Sequence, residues 1–591
     1  MIPLQCPGMF IRPCYRRKNG KPHAYWALVE SYRTERGPRQ RVIGYIGGLK
    51  TAPRKRRVKW SVDKPAGQQG RLFPIPEAHE PEYIEVDAGK VRTENSRSFG
   101  GPWLAMQLVK TLGLDAFLAT AMPQGKELVP WDLTALILII CRLLNPSSEL
   151  HIAEHFYRST ALAEILGVSS GYVDDHRLYR GLDRLLEKKE ALEVFLKNRL
   201  GTLFKLEYDI LFYDITSTYF EGQMEGAPIA KRGYSRDSRP DCKQVVIALV
   251  VSRCGMPLGY EVFDGNKSDS TRVEAMVKLI EKRYGRSDRI WVMDRGMVSE
   301  ENLAFMRREG RRYIVGTPKS LLARHEEALL RQDWTNVREG VEVKRLASEI
   351  PEEAFILCRS RDRGGKEQAM RELFSQRMED GLKKLEARCQ KQKCDPGRIS
   401  ESLGRLRERN SRASRYYYAK VHDENGRARL EWRVEVQKRD RASPLDGCYI
   451  LRSNIAEWDP KDLWDAYIHL TEAEAAFRIH KSDLQLRPVW HQKEERIRAH
   501  ILVCFLAYVL WKTLARLCAR AGLGDEPRRV LNELSLIQLM DVILPLKGGK
   551  EIKRSCVAVP SPHQQILLHA LGIKLPIQWT KQDAFMKNAM L

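Results

Sequence analysis

The sequence contains two strongly apolar runs of the kind that form buried strands, and each is followed directly by an aspartate. Asp214 follows the apolar run at residues 210–213, and Asp294 follows the run at residues 290–293. A carboxylate beside a buried strand is costly unless it is paired or binds a cation, and the ends of strands are where α/β sheets place their sites. One such Asp alone could simply cap a turn. Two in one sheet favour a shared divalent-metal site.

The pattern around these aspartates predicts a mixed α/β sheet. Between residues 207 and 317 short apolar runs alternate with helical periodicity. Strands are expected at 208–213, 244–251, 258–263, 289–293 and 312–316, and helices at 269–283 and 299–308. Three strands and a helix, followed by strand, helix and strand, predict a mixed sheet with helices on its faces.

A third carboxylate is available on a helix predicted over residues 461–481. Tyr467 lies seven residues before Glu474, and Lys481 lies seven after it. Each seven-residue step drifts by only about 20° around a helix, so the three side chains are expected to form one stripe, with Arg478 one turn beyond Glu474. Glu472 is expected about 160° away. A solvent-facing Glu–Arg stripe remains the alternative interpretation.

The charge of the chain points to a polyanionic partner. The 591 residues carry a net charge of +24, for which nucleic acid is the first candidate. Residues 1–65 alone hold 16 Lys and Arg against three acids, which favours phosphate contact over a merely solvated surface. Strands are predicted there at 9–12, 24–32 and 40–46, with a hairpin turn at Asn19-Gly20.

The remaining composition predicts a cytoplasmic protein without a membrane span. The longest apolar runs, at residues 136–141 and 501–511, are shorter than the roughly 20 residues that cross a bilayer. Twelve cysteines are scattered without framework spacing, which is typical of a reducing compartment.

The three acidic blocks resemble the DDE transposases of bacterial insertion sequences. The resemblance rests on Tyr-Asp-Ile-Thr-Ser at Asp214, on Met-Asp-Arg-Gly-Met at Asp294, and on Tyr467, Glu474 and Lys481. The last three match the Tyr-x2-Arg-x3-Glu-x6-Lys signature of the insertion sequence four superfamily. Flanking residues are most similar to its branch numbered sixteen-thirty-four. One position departs from the signature, because Leu470 stands where the family has Arg.

The resemblance implies a fold, an activity and a set of site residues. It implies an RNase H-like mixed-sheet core interrupted by an α+β insertion, beside an N-terminal β module and an all-α region. Asp214, Asp294 and Glu474 are then the catalytic residues and metal ligands, with Mg²⁺ as cofactor and Mn²⁺ as a substitute. Tyr467, Arg478 and Lys481 are implied to bind DNA, Arg478 replacing the Arg absent at Leu470.

The same resemblance implies the partners and the place of action. The partner is double-stranded DNA, both terminal inverted repeats and target, bound by a homodimer in a synaptic complex. The expected location is the bacterial cytoplasm, in association with the nucleoid.

The sequence divides into seven predicted regions. These are a basic β-rich module (1–65), a linker (66–100), an all-helical DNA-binding or dimerisation region (101–205), the first part of the core (206–319), the insertion (320–455), the second part of the core with the Glu helix (456–522) and a C-terminal region (523–591).

Two other functions stay open at this point. One is an RNase H-like nuclease that cuts DNA without joining it, and the other is a non-catalytic DNA-binding protein derived from a transposase. The presence of all three acids favours the transposase.

Overall fold

The computed structural model describes residues 85–579, apart from 268–271, 347–351, 392–393 and 547, together with three strands nearer the N-terminus. The chain divides into two compact units, Met1–Tyr83 and Ile84–Leu591.

The first unit contains an antiparallel sheet of three strands in the order β1-β2-β3. The strands are β1 (Met9–Lys18), β2 (Lys21–Thr34) and β3 (Gly37–Gly47). Lys18 pairs with Lys21 across the predicted hairpin turn. The three predicted strands are therefore confirmed, whereas the basic run at 54–59 lies outside the described residues.

The second unit contains the other strands and all the described α-helices. Its strands are β4 (Arg92–Ser98), β5 (Ile210–Tyr219), β6 (Gln244–Ser252), β7 (Pro257–Asp264), β8 (Ile290–Met293), β9 (Arg312–Gly316), β10 (Thr335–Arg338), β11 (Val341–Leu346), β12 (Ala354–Ser360), β13 (Tyr417–Glu424), β14 (Arg427–Val434), β15 (Cys448–Ser453), β16 (Gln538–Pro545), β17 (Glu551–Val557) and β18 (Gln578–Trp579). Its helices are α1 (Gly100–Leu112), α2 (Leu114–Ala121), α3 (Trp131–Leu144), α4 (Glu149–His151), α5 (Leu162–Leu166), α6 (Asp175–Leu186), α7 (Lys189–Phe204), α8 (Val273–Tyr284), α9 (Glu300–Arg308), α10 (Glu326–Leu330), α11 (Arg361–Lys391), α12 (Pro396–Arg409), α13 (Ser411–Ser414), α14 (Val436–Ala442), α15 (Pro460–Ile468), α16 (Thr471–Ser482), α17 (Glu494–Arg520), α18 (Pro527–Ser535) and α19 (Pro562–Ala570).

A mixed sheet of nine strands organises this unit, in the order β10-β11-β12-β15-β9-β8-β5-β6-β7. Strands β5, β6 and β7 form an antiparallel meander. Strands β8 and β9 continue the sheet parallel to β5. Strand β15 is antiparallel to β9 and joins the strands of the predicted insertion to the same sheet. The predicted mixed sheet is thus confirmed, and it is larger than expected.

Strand β5 is longer than the sequence pattern suggested. The prediction placed Asp214 at the end of a strand, but β5 continues through Asp214 to Tyr219 and pairs with β6 along that length. The residues after Asp214 are Ile, Thr, Ser, Thr and Tyr, which are mostly types that favour extended backbone. Asp214 therefore lies inside a strand, whereas Asp294 directly follows β8 as predicted.

The two faces of the sheet are buried against different helices. Alternate residues point to opposite faces. Phe212 and Val292 belong to the large core that includes α3, α6 and α17, whereas Tyr213 and Met293 belong to the core formed with α8 and α9. The sheet is consequently covered on both sides.

Helix α17 is the central helix of the large core. Most of its residues are buried, and it packs against α3 and α6. By length and composition it could cross a membrane, as could two bent helix pairs, α1 with α2 and α3 with the helical residues 149–156, but most of α17 is buried within the protein. The apolar residues of α17 form part of the large core.

The helix predicted over residues 461–481 is two helices, α15 and α16, separated by His469 and Leu470. The Leu470 side chain is buried. The Thr471 hydroxyl donates a hydrogen bond to the Ile468 carbonyl at 2.8 Å, which satisfies an acceptor at the end of α15. The single-helix prediction was wrong because these local contacts interrupt the helix.

Two smaller assemblies complete the second unit. Helices α11 to α13 and strands β13 and β14 share a separate apolar cluster within the predicted insertion. Strand β4 pairs with β16 in a four-stranded sheet ordered β18-β17-β16-β4. The predicted linker therefore does not extend to residue 100, because residues 92–98 find a partner strand near the C-terminus.

Candidate active site

Asp214 and Asp294 occupy neighbouring positions on two adjacent parallel strands. The residues just before them, Tyr213 and Met293, are register partners, and adjacent strands lie about 4.8 Å apart. Asp294 keeps an extended backbone, with φ −75° and ψ 161°. Both aspartates come two residues after side chains of the large core, so both carboxylates point to the face covered by α15, α16 and α17.

The Asp214 carboxylate is in an environment that favours its protonated form. Burial raises its pKa to about 7, and the negative charges of Asp294 and Glu474 add to the rise. A hydrogen bond from the Ile215 backbone N–H, 2.7 Å from Oδ1, and the positive charge of Arg236 act in the opposite direction.

Glu474 reaches the same region from the first turn of α16, a helix that packs against β5 and β6. Burial raises the Glu474 pKa, and the charge of Asp294 raises it further. The neighbouring Arg478 lowers it. Glu472 points elsewhere, because its Oε2 lies 3.3 Å from Lys512 Nζ. The structure therefore brings Glu474 to the two aspartates and keeps Glu472 apart from them.

A cavity of about 300 Å³ opens beside these acids. Asp294, Glu474 and Tyr467 line it, whereas Asp214 is not part of its wall. Its wall also carries three cations that the sequence analysis missed, namely Arg295, Lys319 and Arg363. Arg295 was detectable as the neighbour of Asp294, but Lys319 and Arg363 lie on elements whose approach no local pattern indicates.

The hydroxyl of the partly buried Tyr467 lies against Gly316 at the end of β9. A side chain at position 316 would overlap that hydroxyl and would lie close to the Arg295 backbone nitrogen. Burial raises the pKa of Tyr467, and the charge of Asp294 raises it further. Leu470, at the position of the signature Arg, lines the same cavity with an apolar side chain.

Lys481 is held by an acid that the sequence analysis did not single out. Its Nζ donates to Oδ1 of Asp237 at 2.7 Å, and Arg487 pairs with the same oxygen. Burial lowers the Lys481 pKa, and Asp237 opposes that change. Lys481 is therefore a buried ion-pair member, whereas Arg478 is exposed beside Glu474.

The three carboxylates have the chemistry of a site for a hard divalent cation. Their mutual repulsion disfavours close approach without a cation. Among the described residues, the only group of three potential ligands with atoms within 4.8 Å of one another is Glu149, His491 and His500. That group lines a different cavity, and Arg142 Nη2 lies 3.5 Å from His500 Nδ1, where a guanidinium would repel an added cation.

Comparison with known proteins identifies the family. The profile described as "Transposase DDE domain" matches residues 206–510, more than half of the chain. The profile described as "IS1634 family transposase, N-terminal domain" matches residues 11–64. The chain therefore belongs to the DDE transposases, in their IS1634 branch.

The chain has little similarity to individual known proteins. No curated protein sequence matches the chain. One similar solved structure is a piggyBac transposase synaptic complex with hairpin DNA. It is 8% identical, with a TM-score of 0.35, and the match covers 74% of this chain and 80% of that one.

Proposed function

We propose that this DNA transposase binds the ends of an insertion sequence, cleaves the DNA there and joins the 3′-OH ends to target DNA. The observation that carries the proposal is that Asp214 and Asp294 directly follow the register partners Tyr213 and Met293 of two parallel strands, and that Glu474 interacts electrostatically with both. The proposal includes an RNase H-like core made of β5 to β9, which is supported by their order β7-β6-β5-β8-β9 and by the parallel β5, β8 and β9.

The three carboxylates would hold two divalent cations, Mg²⁺ or its substitute Mn²⁺. Such a pair, when bound, stabilises charge on the attacking and leaving oxygens of an in-line displacement. Burial raises the pKa values of Asp214 and Glu474 and neighbouring negative charges add to the rise, so bound cations would compensate the charge of these carboxylates.

The cations of the cavity wall would bind the DNA backbone. Arg295, Lys319 and Arg363 provide donors beside Asp294, and guanidinium groups suit phosphate oxygens. Tyr467 would position the phosphate nearest to Asp294. With the phosphate held, water would attack the phosphodiester at the element's end and displace its 3′-oxygen, which leaves as a 3′-OH. That hydroxyl would then attack a phosphodiester of target DNA and displace the target's own 3′-oxygen.

The regions of the chain would divide this work. The basic N-terminal module (1–65) and the helical region (101–205) would bind the element's ends, and the core (206–319 and 456–522) would perform the chemistry. A homodimer would hold two ends together, and the protein would act in the bacterial cytoplasm at the nucleoid. Arg478, exposed beside Glu474, would contact phosphate in place of the Arg absent at Leu470.

A cleavage and joining assay tests the proposal. The full chain is incubated with a DNA fragment that carries an end of its own element, a target plasmid, and either Mg²⁺ or EDTA. We expect 3′-OH cleavage products and joined products with Mg²⁺ only. Asp294→Asn should lose both products while retaining end-specific binding. Cleavage without joining would instead assign a nuclease, and substantial cleavage by Asp294→Asn would overturn the assignment of the site.

A further inference from the structure

The connection between β5 and β6 presents two arginines and a tyrosine on one exposed edge. From Lys231 to Asp237 the exposure of residues alternates, and Arg232, Tyr234 and Arg236 are the exposed members. The Tyr234 side chain is 86% exposed. We name these three side chains the Arg–Tyr–Arg ridge. The chain turns at Arg236 and Asp237, where the Ser235 hydroxyl accepts hydrogen bonds from the Asp237 and Arg239 backbone N–H groups.

The inward-facing residues fasten this segment to the sheet. Lys231 and Gln244 exchange two backbone hydrogen bonds of 3.1 and 3.0 Å. Gln244 Nε2 also donates to the Tyr234 carbonyl at 3.0 Å. A side chain at position 233 would overlap the Gly265 carbonyl, so Gly233 permits the close approach. The ridge is therefore a fixed feature of the surface.

The ridge lies at the edge of the candidate active site. The Arg236 backbone N–H donates to Ser217 Oγ at 3.2 Å, and Ser217 comes three residues after Asp214 on β5. The charge of Arg236 also acts on the Asp214 carboxylate. The next residue, Asp237, points inward to Lys481. One short segment thus holds Lys481 of α16 and carries Arg236 near Asp214.

The chemistry of the ridge fits a nucleic acid strand. Arg232 lies two residues before Tyr234 and Arg236 lies two residues after it, so the tyrosine has an arginine on each side along the chain. Guanidinium groups bind phosphate oxygens. An exposed aromatic ring between them offers a surface for stacking an unpaired base, as in proteins that bind single strands.

We propose that the Arg–Tyr–Arg ridge binds the DNA strand next to the phosphate that is cut, with Tyr234 stacked on an unpaired base and the two arginines on flanking phosphates. This inference rests on the proposed function. It adds a substrate contact that neither the acidic motif nor the cavity wall supplies.

The first test compares cleavage rates on element-end DNA with Mg²⁺. Tyr234→Ala should cleave about tenfold more slowly, the order expected for one lost stacking contact. Tyr234→Phe, which keeps the ring, should match the wild type. Arg232→Ala should also be slower, whereas its matched control Arg286→Ala should not, because Arg286 precedes β8 at the end opposite Asp294. Wild-type rates for both Tyr234→Ala and Arg232→Ala would overturn the proposal.

The second test does not depend on cleavage. Asp214→Asn protein is bound to the same DNA carrying 5-iododeoxyuridine at single positions around the cut, and is irradiated. We expect a crosslink at the peptide containing Tyr234 from a position next to the cut, and its loss in the Asp214→Asn/Tyr234→Ala protein. Crosslinks only to other peptides would overturn the proposal that the ridge binds the DNA strand. A wild type that binds ends but never cleaves would refute the proposed function, while the crosslink would still decide the ridge.

Discussion

Lys481 and Asp237 form a buried ion pair that joins α16 to the connection between β5 and β6, with 2.7 Å between Nζ and Oδ1. The Asp237 side chain is only 2% exposed, and Arg487 pairs with the same carboxylate. The pair fixes the position of the segment that carries Arg236 relative to the helix that carries Glu474. Its integrity should matter for stability and for the geometry of the site.

Asp237→Asn should therefore destabilise the protein markedly. Removing one partner of a buried pair leaves an uncompensated charge and costs about 3 kcal/mol. Urea unfolding measures the change, with Asp241→Asn as a control, because Asp241 lies in the same connection but is exposed and paired with Arg239. Equal unfolding midpoints for the two variants would contradict a structural role for the Lys481–Asp237 pair.

Glu474→Gln should abolish cleavage and leave end binding intact. Glu472→Gln is the matched control, since it lies two residues away on the same helix and pairs with Lys512. It should remain active. Cleavage and gel-shift assays on the two proteins, run in parallel, separate the roles. If Glu472→Gln failed to cleave and Glu474→Gln cleaved, Glu472 and not Glu474 would be the third catalytic acid.

Asp214 should make the stability of the metal-free protein depend on pH. Its pKa is raised from 3.8 to about 7 in the folded state. Between these pH values the folded protein keeps a proton on Asp214 that the unfolded protein releases. The stability contributed by this proton is complete below pH 4 and is lost as pH rises through 7. The stability of Asp214→Asn does not show this decrease with pH, because asparagine does not titrate.

In EDTA, Asp214→Asn should therefore be more stable than the wild type above pH 7, and the difference should shrink toward pH 4. Urea unfolding at pH 5 and pH 8 measures this, with the exposed Asp288→Asn as a control that should show no such trend. Added Mg²⁺ should stabilise the wild type more than Asp214→Asn, because binding to the native state alone shifts unfolding. An identical pH dependence in both proteins would contradict the environment described for Asp214.

Gly316→Ala should disturb the cavity through Tyr467. The added methyl group would overlap the Tyr467 hydroxyl, and overpacking of this kind costs about 1–3 kcal/mol. Tyr467→Phe removes that oxygen and should reduce the cost of the alanine. A double-mutant cycle in unfolding free energy measures the coupling. Additive effects would show that the two residues do not restrain each other.

Removal of residues 1–65 should flatten the salt dependence of DNA binding by several units of slope, because this segment supplies 16 Lys and Arg against three acids. Binding of a nonspecific duplex, measured across a range of salt concentrations, tests this. An unchanged slope would mean that these cations do not contact phosphate.

The sequence predicted the central strands well because their apolar runs are long and bounded by polar residues. The motif also singled out Asp214, Asp294 and Glu474, which the fold brings near one another, although Asp214 lies inside β5 and not at a strand end. Their catalytic role stays a prediction. It failed at the helix over 461–481, because the interruption depends on burial of Leu470 and on the Thr471 hydroxyl. Such contacts are tertiary or very local, and a spacing of apolar residues with a period of 3.6 does not indicate them.

The prediction from the sequence did not include the cations around the site. Lys319 lies three residues after β9, whereas Arg363 reaches the cavity because β12 and β15 join the insertion to the sheet beside β9. Asp237 is one acid among several in a polar connection, and its burial follows from the fold alone. Sheet order and long-range ion pairs are not encoded in any local pattern.

The packing of α17 against α3 and α6 has a consequence for synthesis of the chain. Helix α3 ends at Leu144, but α17 begins only at Glu494. At bacterial elongation rates the ribosome needs on the order of 20–70 s to make the intervening residues. During that time the apolar faces of α3 and α6 lack their final partner. Polypeptides released before residue 520 should therefore be cleared or aggregate, and should not persist as folded competitors for the DNA ends.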